Sequence, residues 1–433
     1  MIKFFCFTAT LFSAFMGIAQ QVPITEKEKT EAIDSIANVL NRYYILPDKG
    51  NETANYLIQQ RKNKAYKSLT DYKAFIDQVN KDLQVKHKDL HLKISYNPER
   101  VALLRKVNQA APDSMLFIKR TVKQKYFNYG VSKVERLEGN VTYIDLRQFV
   151  NVTNASKKTI KAALTMNQEP TAFIIDLREN GGGEIDMGRY INSHFFKDSV
   201  HLSTVINKIS NKTEHYWTQP SLTNQKFAST PIYVLISGNT FSAAEEFAYS
   251  LKSHKRAVLV GEKSAGGAHG FGSKVINDAI VVSIPFERIE NAMTKDNWEG
   301  IGVLPDIVIS SSKALEKAHL LAMDTIQIKI DDADVKQEVI WKREYLQAFI
   351  KPVTLSQEKL KSYTGTYGSR EIILIDEALY MQRQDKSKYP LLPINDHTFY
   401  MKELNYRLQF LKTKEDKLKL YIVFEDGYIQ EVG

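Results

Sequence analysis

Ser242 follows an apolar run, Pro231 to Ile236, and a polar turn, Ser237 to Phe241, and it opens Ala243-Ala-Glu-Glu-Phe-Ala248, which reads as strand, turn and helix. A serine there has its hydroxyl at the positive end of a helix, beside backbone N–H groups that lack intrahelical acceptors. The place suits a nucleophile whose attack generates an oxyanion, and it equally suits a plain N-cap. Thr240 and Ala244 stand where the Gly-x-Ser-x-Gly elbow of α/β-hydrolases has glycines, so that elbow is not formed. A second feature is the buried strand Ala172 to Leu177, carrying Asp176 and Arg178 at its end and then Gly181-Gly182-Gly183. Only backbone faces whatever approaches such a run. A phosphate loop is the rival reading, but Glu184 and Ile185 occupy the positions of its Lys-Ser/Thr, and a Gly-x-Gly-x-x-Gly spacing is missing. Backbone donors for a tetrahedral oxyanion and a tight structural turn both remain open.

Bases and carboxylates come next. His91, in Asp89-Leu90-His91, and His269, two residues past Gly267, are the candidate bases, because a neutral imidazole can take a serine proton near neutral pH. His254 and His319 lie on predicted helices in charged surroundings and read as solvated. Glu245, one turn after Ser242, could imitate a catalytic carboxylate; interaction with the helix dipole is the simpler account. His87 and His91 stand four apart and could share a helix face, but no third ligand is evident. With no His-Glu-x-x-His, no cysteine pair and no calcium-type acidic loop, neither a metal nor another cofactor is expected.

The elements that must position these residues fall into stretches of different character. Residues 1–19 read as a signal peptide: Lys3 is followed by an apolar run to Met16 and by Gly17-Ile18-Ala19, with small residues where a signal peptidase reads. The run is too short to span a bilayer, so stable membrane insertion is not expected, and the mature protein would be periplasmic or secreted. Residues 20–96 form an N-terminal helical domain. Thr25 and Glu28 make a capping box for a helix that Pro47 follows, further helical stretches run about Tyr56 to Arg61 and Asp71 to Leu83, and a strand runs Leu92 to Tyr96. Residues 97–138 are a linker region without a clear pattern. Residues 139–330 alternate apolar strands with amphipathic helices, which is α/β with fully buried strands, and end on a helix from Ala314 to Met323. Residues 350–433 alternate at the strand period and read as a small C-terminal β domain.

Composition narrows the functional classes. Among 433 residues, 43% hydrophobic and 25% charged is the balance of a globular protein. The 59 basic residues are offset by 50 acidic ones spread along the chain, so nucleic acid is a poor partner despite the +9 charge. Cys6 is the single cysteine and sits inside the leader, leaving no disulfide, thiolate metal site or cysteine nucleophile.

Four segments in order, Asp176-Leu-Arg-x-Asn-x-Gly-Gly183, Thr240-x-Ser-Ala-Ala-Glu245, Val260-Gly-Glu-Lys-Ser-Ala-Gly-Gly267 and Asn297-Trp-Glu-Gly-Ile-Gly-Val-Leu-Pro-Asp306, resemble the tail-specific (C-terminal processing) protease superfamily. That superfamily also holds the tricorn protease core and the interphotoreceptor retinoid-binding protein, and this chain is closer to that tricorn-core and retinoid-binding-protein-like branch. The resemblance implies a crotonase/ClpP-like serine protease core over about residues 135–325. It places the nucleophile on Ser242 and the oxyanion donors on Ala243 and Gly182. Tail-processing members carry a lysine base at about the position of Gly267, so a Ser-Lys dyad is not expected here. The tricorn-like branch takes a histidine from the N-terminal segment and a glutamate from the last motif, which fall on His91 and Glu299; Leu90 stands where tricorn has a serine. His269 competes as the base. The linker is too short for the PDZ domain that most tail-specific proteases insert, and the C-terminal stretch resembles small β-barrel modules appended to bacterial serine hydrolases. The expected function is therefore an exported serine peptidase acting on a protein or peptide substrate through an acyl-enzyme on Ser242. The alternative is a silent member whose cleft binds a lipophilic or peptidic ligand.

Overall fold

Thr25 and Glu28 form the expected box: the Thr25 hydroxyl accepts the Glu28 N–H at 3.2 Å and Glu28 accepts the Thr25 N–H at 2.7 Å, opening the helix Glu26–Tyr43. The computed structural model describes residues 22–109, 122–219, 222, 225–327, 331–383 and 387–432, so the leader expected over residues 1–19 lies outside the described residues. Pro47 does more than follow that helix. It occupies the first turn of the next one, Pro47–Lys62, where its missing N–H costs nothing, so this helix begins nine residues before Tyr56. Asp71 caps Tyr72–Leu83 by accepting the Ala74 N–H at 2.9 Å.

The chain divides into two compact units, residues 1–111 with 271–286, and residues 112–270 with 287–433. The first unit packs Ile33, Ile36, Leu40, Leu57, Phe75 and Val79 from its first three helices against Ile280, Val282 and Ile284. Gly50 allows the first two helices to close up, since a Cβ there would stand 2.9 Å from the Leu40 carbonyl oxygen. Strand Lys93–Tyr96 pairs antiparallel with residues 280–283. A helix, Pro98–Gln109, occupies the first part of the stretch that showed no pattern in the sequence.

The second unit is built on a six-stranded sheet in the order Ile307–Val308, Val258–Gly261, Ile232–Ile236, Ala172–Asp176, Val141–Leu146, Val131–Leu137, parallel except for the last strand. Both faces of the central strands are apolar. Ile144, Phe173, Ile175 and Val234 face one core, with Ile160, Ile191 and Phe247 from three helices. Tyr143, Ile174, Tyr233 and Leu235 face the other, with Ala318, Met323, Trp341 and Tyr345. This is the α/β arrangement expected from continuous apolar runs alternating with helices. The helices around the first core are Asn154–Thr165, Ile185–Asn192 and Ala243–Ser253; those at the second are Ala314–Gln327 and Ala333–Ile350. A hairpin, His201–Asn207 with Lys212–Trp217, pairs with residues 287–291. Toward the C-terminus, two antiparallel sheets enclose Leu360, Tyr363, Phe399, Leu408 and Phe410, and Arg407 lies 3.6 Å over the Trp341 ring while pairing with Glu344 at 2.6 Å.

Candidate active site

In the second unit, the loops 177–184 and 237–242 leave the carboxyl ends of two adjacent parallel strands, where open α/β sheets collect ligands. They are laced together. The Ser237 hydroxyl donates to the Arg178 carbonyl at 2.5 Å, the Thr240 hydroxyl to that of Leu177 at 2.8 Å, and the Phe241 N–H to that of Asn180 at 3.0 Å. Asp176 and Arg178 anchor the base of this lacing rather than lining it. Arg178 Nη2 meets Asp176 Oδ2 at 2.6 Å, its Nη1 donates to the Ser311 carbonyl at 2.5 Å, and Tyr143 donates to the same carboxylate at 2.8 Å. The adjacent carboxylate holds the Arg178 guanidinium above its ordinary range.

Ser242 is the N-cap of helix Ala243–Ser253, with φ 57° and ψ −123°. A positive φ on a residue with a Cβ costs free energy, and the surrounding contacts have to enforce it. One of them is Glu245. Its Oε2 accepts the Ser242 N–H at 2.9 Å and the Gly267 N–H at 2.8 Å, and its Oε1 accepts the Gly266 N–H at 2.7 Å and the Ser264 hydroxyl at 2.5 Å. Burial pushes the Glu245 carboxyl up, while Ser264 and the three N–H groups pull it down. Glu245 therefore does more than favour a helix dipole: it ties the Ser242 backbone to the loop after the neighbouring strand. Gly182 is the other close contact. A Cβ on it would stand 2.6 Å from the Phe241 carbonyl and 2.9 Å from Ser242 Cβ, and its φ is 91°. The Gly182 N–H donates to Asn180 Oδ1 at 2.8 Å, whereas the Ala243 N–H, in the first helical turn, has no intrahelical acceptor.

His269 and Glu299 lie together in this unit, Nδ1 to Oε2 3.6 Å, His269 buried and Glu299 half-buried with its side chain largely covered. The Ala268 N–H donates to the same Glu299 oxygen at 2.5 Å, the Trp298 indole N–H to the Gly267 carbonyl at 3.1 Å, and the Gly300 N–H to that of Gly266 at 3.0 Å. The third and fourth sequence motifs are thus one structure, and Glu245 joins it to Ser242.

His91 belongs to the first unit, in the turn between helix Tyr72–Leu83 and strand Lys93–Tyr96. It is buried, its ring stacks on Phe271 at 4.9 Å, and its backbone N–H donates to Asp89 Oδ1 at 3.0 Å. Because the helix ends at Leu83, His87 and His91 share no helix face. Two other expectations about histidines need correcting. His319 is buried, its ring Nε2 3.0 Å from the Glu138 carbonyl, and burial pushes its pKa down, so it is no solvated side chain. His254 ends its helix half-buried, with Nδ1 2.9 Å from the Ser250 carbonyl. Each lies where tertiary packing, invisible in a local charge pattern, encloses the helix.

Among known proteins, residues 140–309 match the model of peptidase family S41, and residues 13–129 match that of the N-terminal domain of peptidase S41 in eukaryotic IRBP. A carboxy-terminal-processing protease of Bartonella bacilliformis is 28% identical over 206 residues, 46% of this chain and 44% of that protein. A carboxyl-terminal-processing protease of Synechocystis is 30% identical over 173 residues, 39% of this chain and 38% of that protein. The chain thus spans less than half the length of these relatives. The solved photosystem II D1 C-terminal processing protease superposes with a TM-score of 0.41 at 15% identity, covering 66% of this chain and 94% of that one. The α/β segment that carries Ser242, Gly182 and Glu299 is therefore the part of this chain that matches peptidase family S41.

Proposed function

We propose that this protein is an exported serine peptidase that hydrolyses peptide bonds in proteins or peptides through an acyl-enzyme on Ser242. The observation that carries this reading is the backbone of Ser242, held at positive φ on a helix N-cap with Gly182 pressed against it and the Ala243 N–H at the open helix end. A general base removes the Ser242 proton as Oγ attacks the carbonyl carbon. The tetrahedral oxyanion is stabilised by the Ala243 N–H and by the Gly182 N–H, which exchanges Asn180 for the oxyanion. The base then returns its proton to the leaving amine, and water, deprotonated by the same base, releases the acyl group.

In this reading His91 is the base and Glu299 orients it, as the family resemblance implies. A second reading, with His269 as base, is favoured by its 3.6 Å contact with Glu299 inside the unit that carries Ser242. Export follows from the leader pattern, and no helix among the described residues is long and apolar enough to cross a membrane. A fluorophosphonate probe tests the class. Labelling of the wild type but not of Ser242→Ala is expected; absence of labelling in folded wild type would favour a silent, ligand-binding member.

A further inference from the structure

The turn that presents His91 is held by more than its own backbone. Gln84, just past the end of helix Tyr72–Leu83, accepts the Asp89 N–H on its Oε1 at 2.8 Å and donates from Nε2 to the Asp89 and Leu92 carbonyls at 3.0 and 2.8 Å. The Leu92 N–H closes the turn onto the Asp89 carbonyl at 3.1 Å. The Asp89 carboxylate is fully buried: Oδ1 accepts the His91 N–H at 3.0 Å and Oδ2 accepts the Tyr44 hydroxyl at 2.9 Å. Tyr44, itself buried, is the C-cap of the helix Glu26–Tyr43.

A plain Asx-turn needs neither burial nor a tyrosine from a distant helix. A buried carboxylate is costly unless it is hydrogen-bonded, so its retention at the residue that accepts the His91 N–H calls for a reason beyond turn formation. We propose that Asp89 is a positioning residue for the peptidase reaction. Its carboxylate fixes the backbone from which the His91 imidazole projects, and Tyr44 and Gln84 fix Asp89. The inference rests on His91 being the base, and it extends that reading from a single histidine to a three-residue holder in the helical unit. Displacing a base by about 1 Å costs on the order of 10²-fold in rate, which is the scale on which such a holder acts.

The test measures kcat and KM for a fluorogenic peptide, together with thermal unfolding, in full-length His91→Ala, Asp89→Ala, Asp89→Asn, Gln84→Leu and Tyr44→Phe. Asp89→Ala should lower kcat at least about tenfold with KM within about twofold, and Asp89→Asn, which keeps an acceptor for the His91 N–H, should recover most of the loss. Gln84→Leu and Tyr44→Phe should give smaller losses, again in kcat. If His91→Ala is inactive while folded Asp89→Ala, Gln84→Leu and Tyr44→Phe all keep wild-type kcat, the positioning role is overturned and the base stands. If His91→Ala keeps wild-type kcat, the base reading itself falls and takes this one with it. Should Asp89→Ala fail to fold, Gln84→Leu and Tyr44→Phe decide: a kcat loss without a KM change supports the holder, and wild-type kcat in both overturns it.

Discussion

The serine end and the histidine end of this protein use the same device on different scales. In each, a buried carboxylate accepts the backbone N–H of a candidate catalytic residue, Glu245 from Ser242 and Asp89 from His91. Glu245 also gathers Ser264, Gly266 and Gly267 from another loop, and Ser264 in turn accepts the Val303 N–H at 2.6 Å. Asp89 accepts from His91 within its own turn and from Tyr44, 45 residues away. The serine is therefore placed by long-range lacing, and a change in any of several segments reaches it. The turn that carries the histidine is held largely by hydrogen bonds within residues 84–92.

The largest expected effect separates the two ends outright. His91→Ala should lose about 10² to 10⁴ in kcat while His269→Ala loses little; the reverse result would move the base into the unit that holds Ser242. A serine and its base act as a unit, so Ser242→Ala/His91→Ala should be scarcely worse than either alone, and an additive double mutant would break the pairing. Next in size is the lacing itself. Gly182→Ala places a Cβ 2.6 Å from the Phe241 carbonyl at a φ of 91°, so it should displace Ser242 and lower kcat by about 10²-fold. Gly181→Ala is its control, since a Cβ there meets nothing within 4 Å, and unfolding measured by urea should be unchanged. Equal losses in the two variants would show that any side chain in the glycine run is harmful, whatever its contact with Ser242.

Glu299→Gln follows. Gln can still accept the Ala268 N–H, so the variant should fold, but it cannot stabilise an imidazolium, and turnover should fall by about tenfold or more. Near-wild-type turnover would leave a Ser-His dyad without an orienting carboxylate.

The serine end was the more legible in sequence because close backbone approach leaves a residue-type signature. Close backbone approach demands glycines at 182, 266 and 302, and these stand out on the page. The capping box at Thr25 and the strands Val141–Leu146 and Ile232–Ile236 were legible because their signals are local. The histidine end was not. Tyr44 and Asp89 are 45 residues apart, and nothing in either neighbourhood marks their contact. The helix Ala333–Ile350 and the hairpin His201–Trp217 also escaped notice. The helix begins with exposed polar turns and buries only its second half, and strand Lys212–Trp217 has an exposed side at nearly every residue, so neither shows a clean apolar period. Pro47 misled in part because proline ends one helix and starts the next by the same geometry.

The smallest expected effect concerns Glu246, whose neighbour Glu245 holds the serine. In the fold Glu246 is buried, Oε1 accepting the Ser203 and Ser250 hydroxyls at 3.0 Å each, and Oε2 having no hydrogen-bond partner among the described residues. Burial pushes its carboxyl up to about 7, against the pull of the two serines. Because the folded state then binds a proton that the unfolded chain releases near its ordinary value of 4.5, this group stabilises the fold at low pH and loses that contribution as pH rises to about 7. Between about pH 5.5 and 7 the loss amounts to roughly 2 kcal/mol. Glu246→Gln keeps an acceptor for both serines and removes the titration. Its urea-unfolding free energy, measured against the wild type at each pH, should therefore gain on the wild type across that window by about the same amount. Burial raises the Glu245 carboxyl too, against the pull of four hydrogen bonds, so Ser264→Ala, which removes one of them, should raise it further and steepen the loss of stability as pH rises. Parallel wild-type and Glu246→Gln curves would mean that Glu246 is ionised in the fold and that its burial does not raise it.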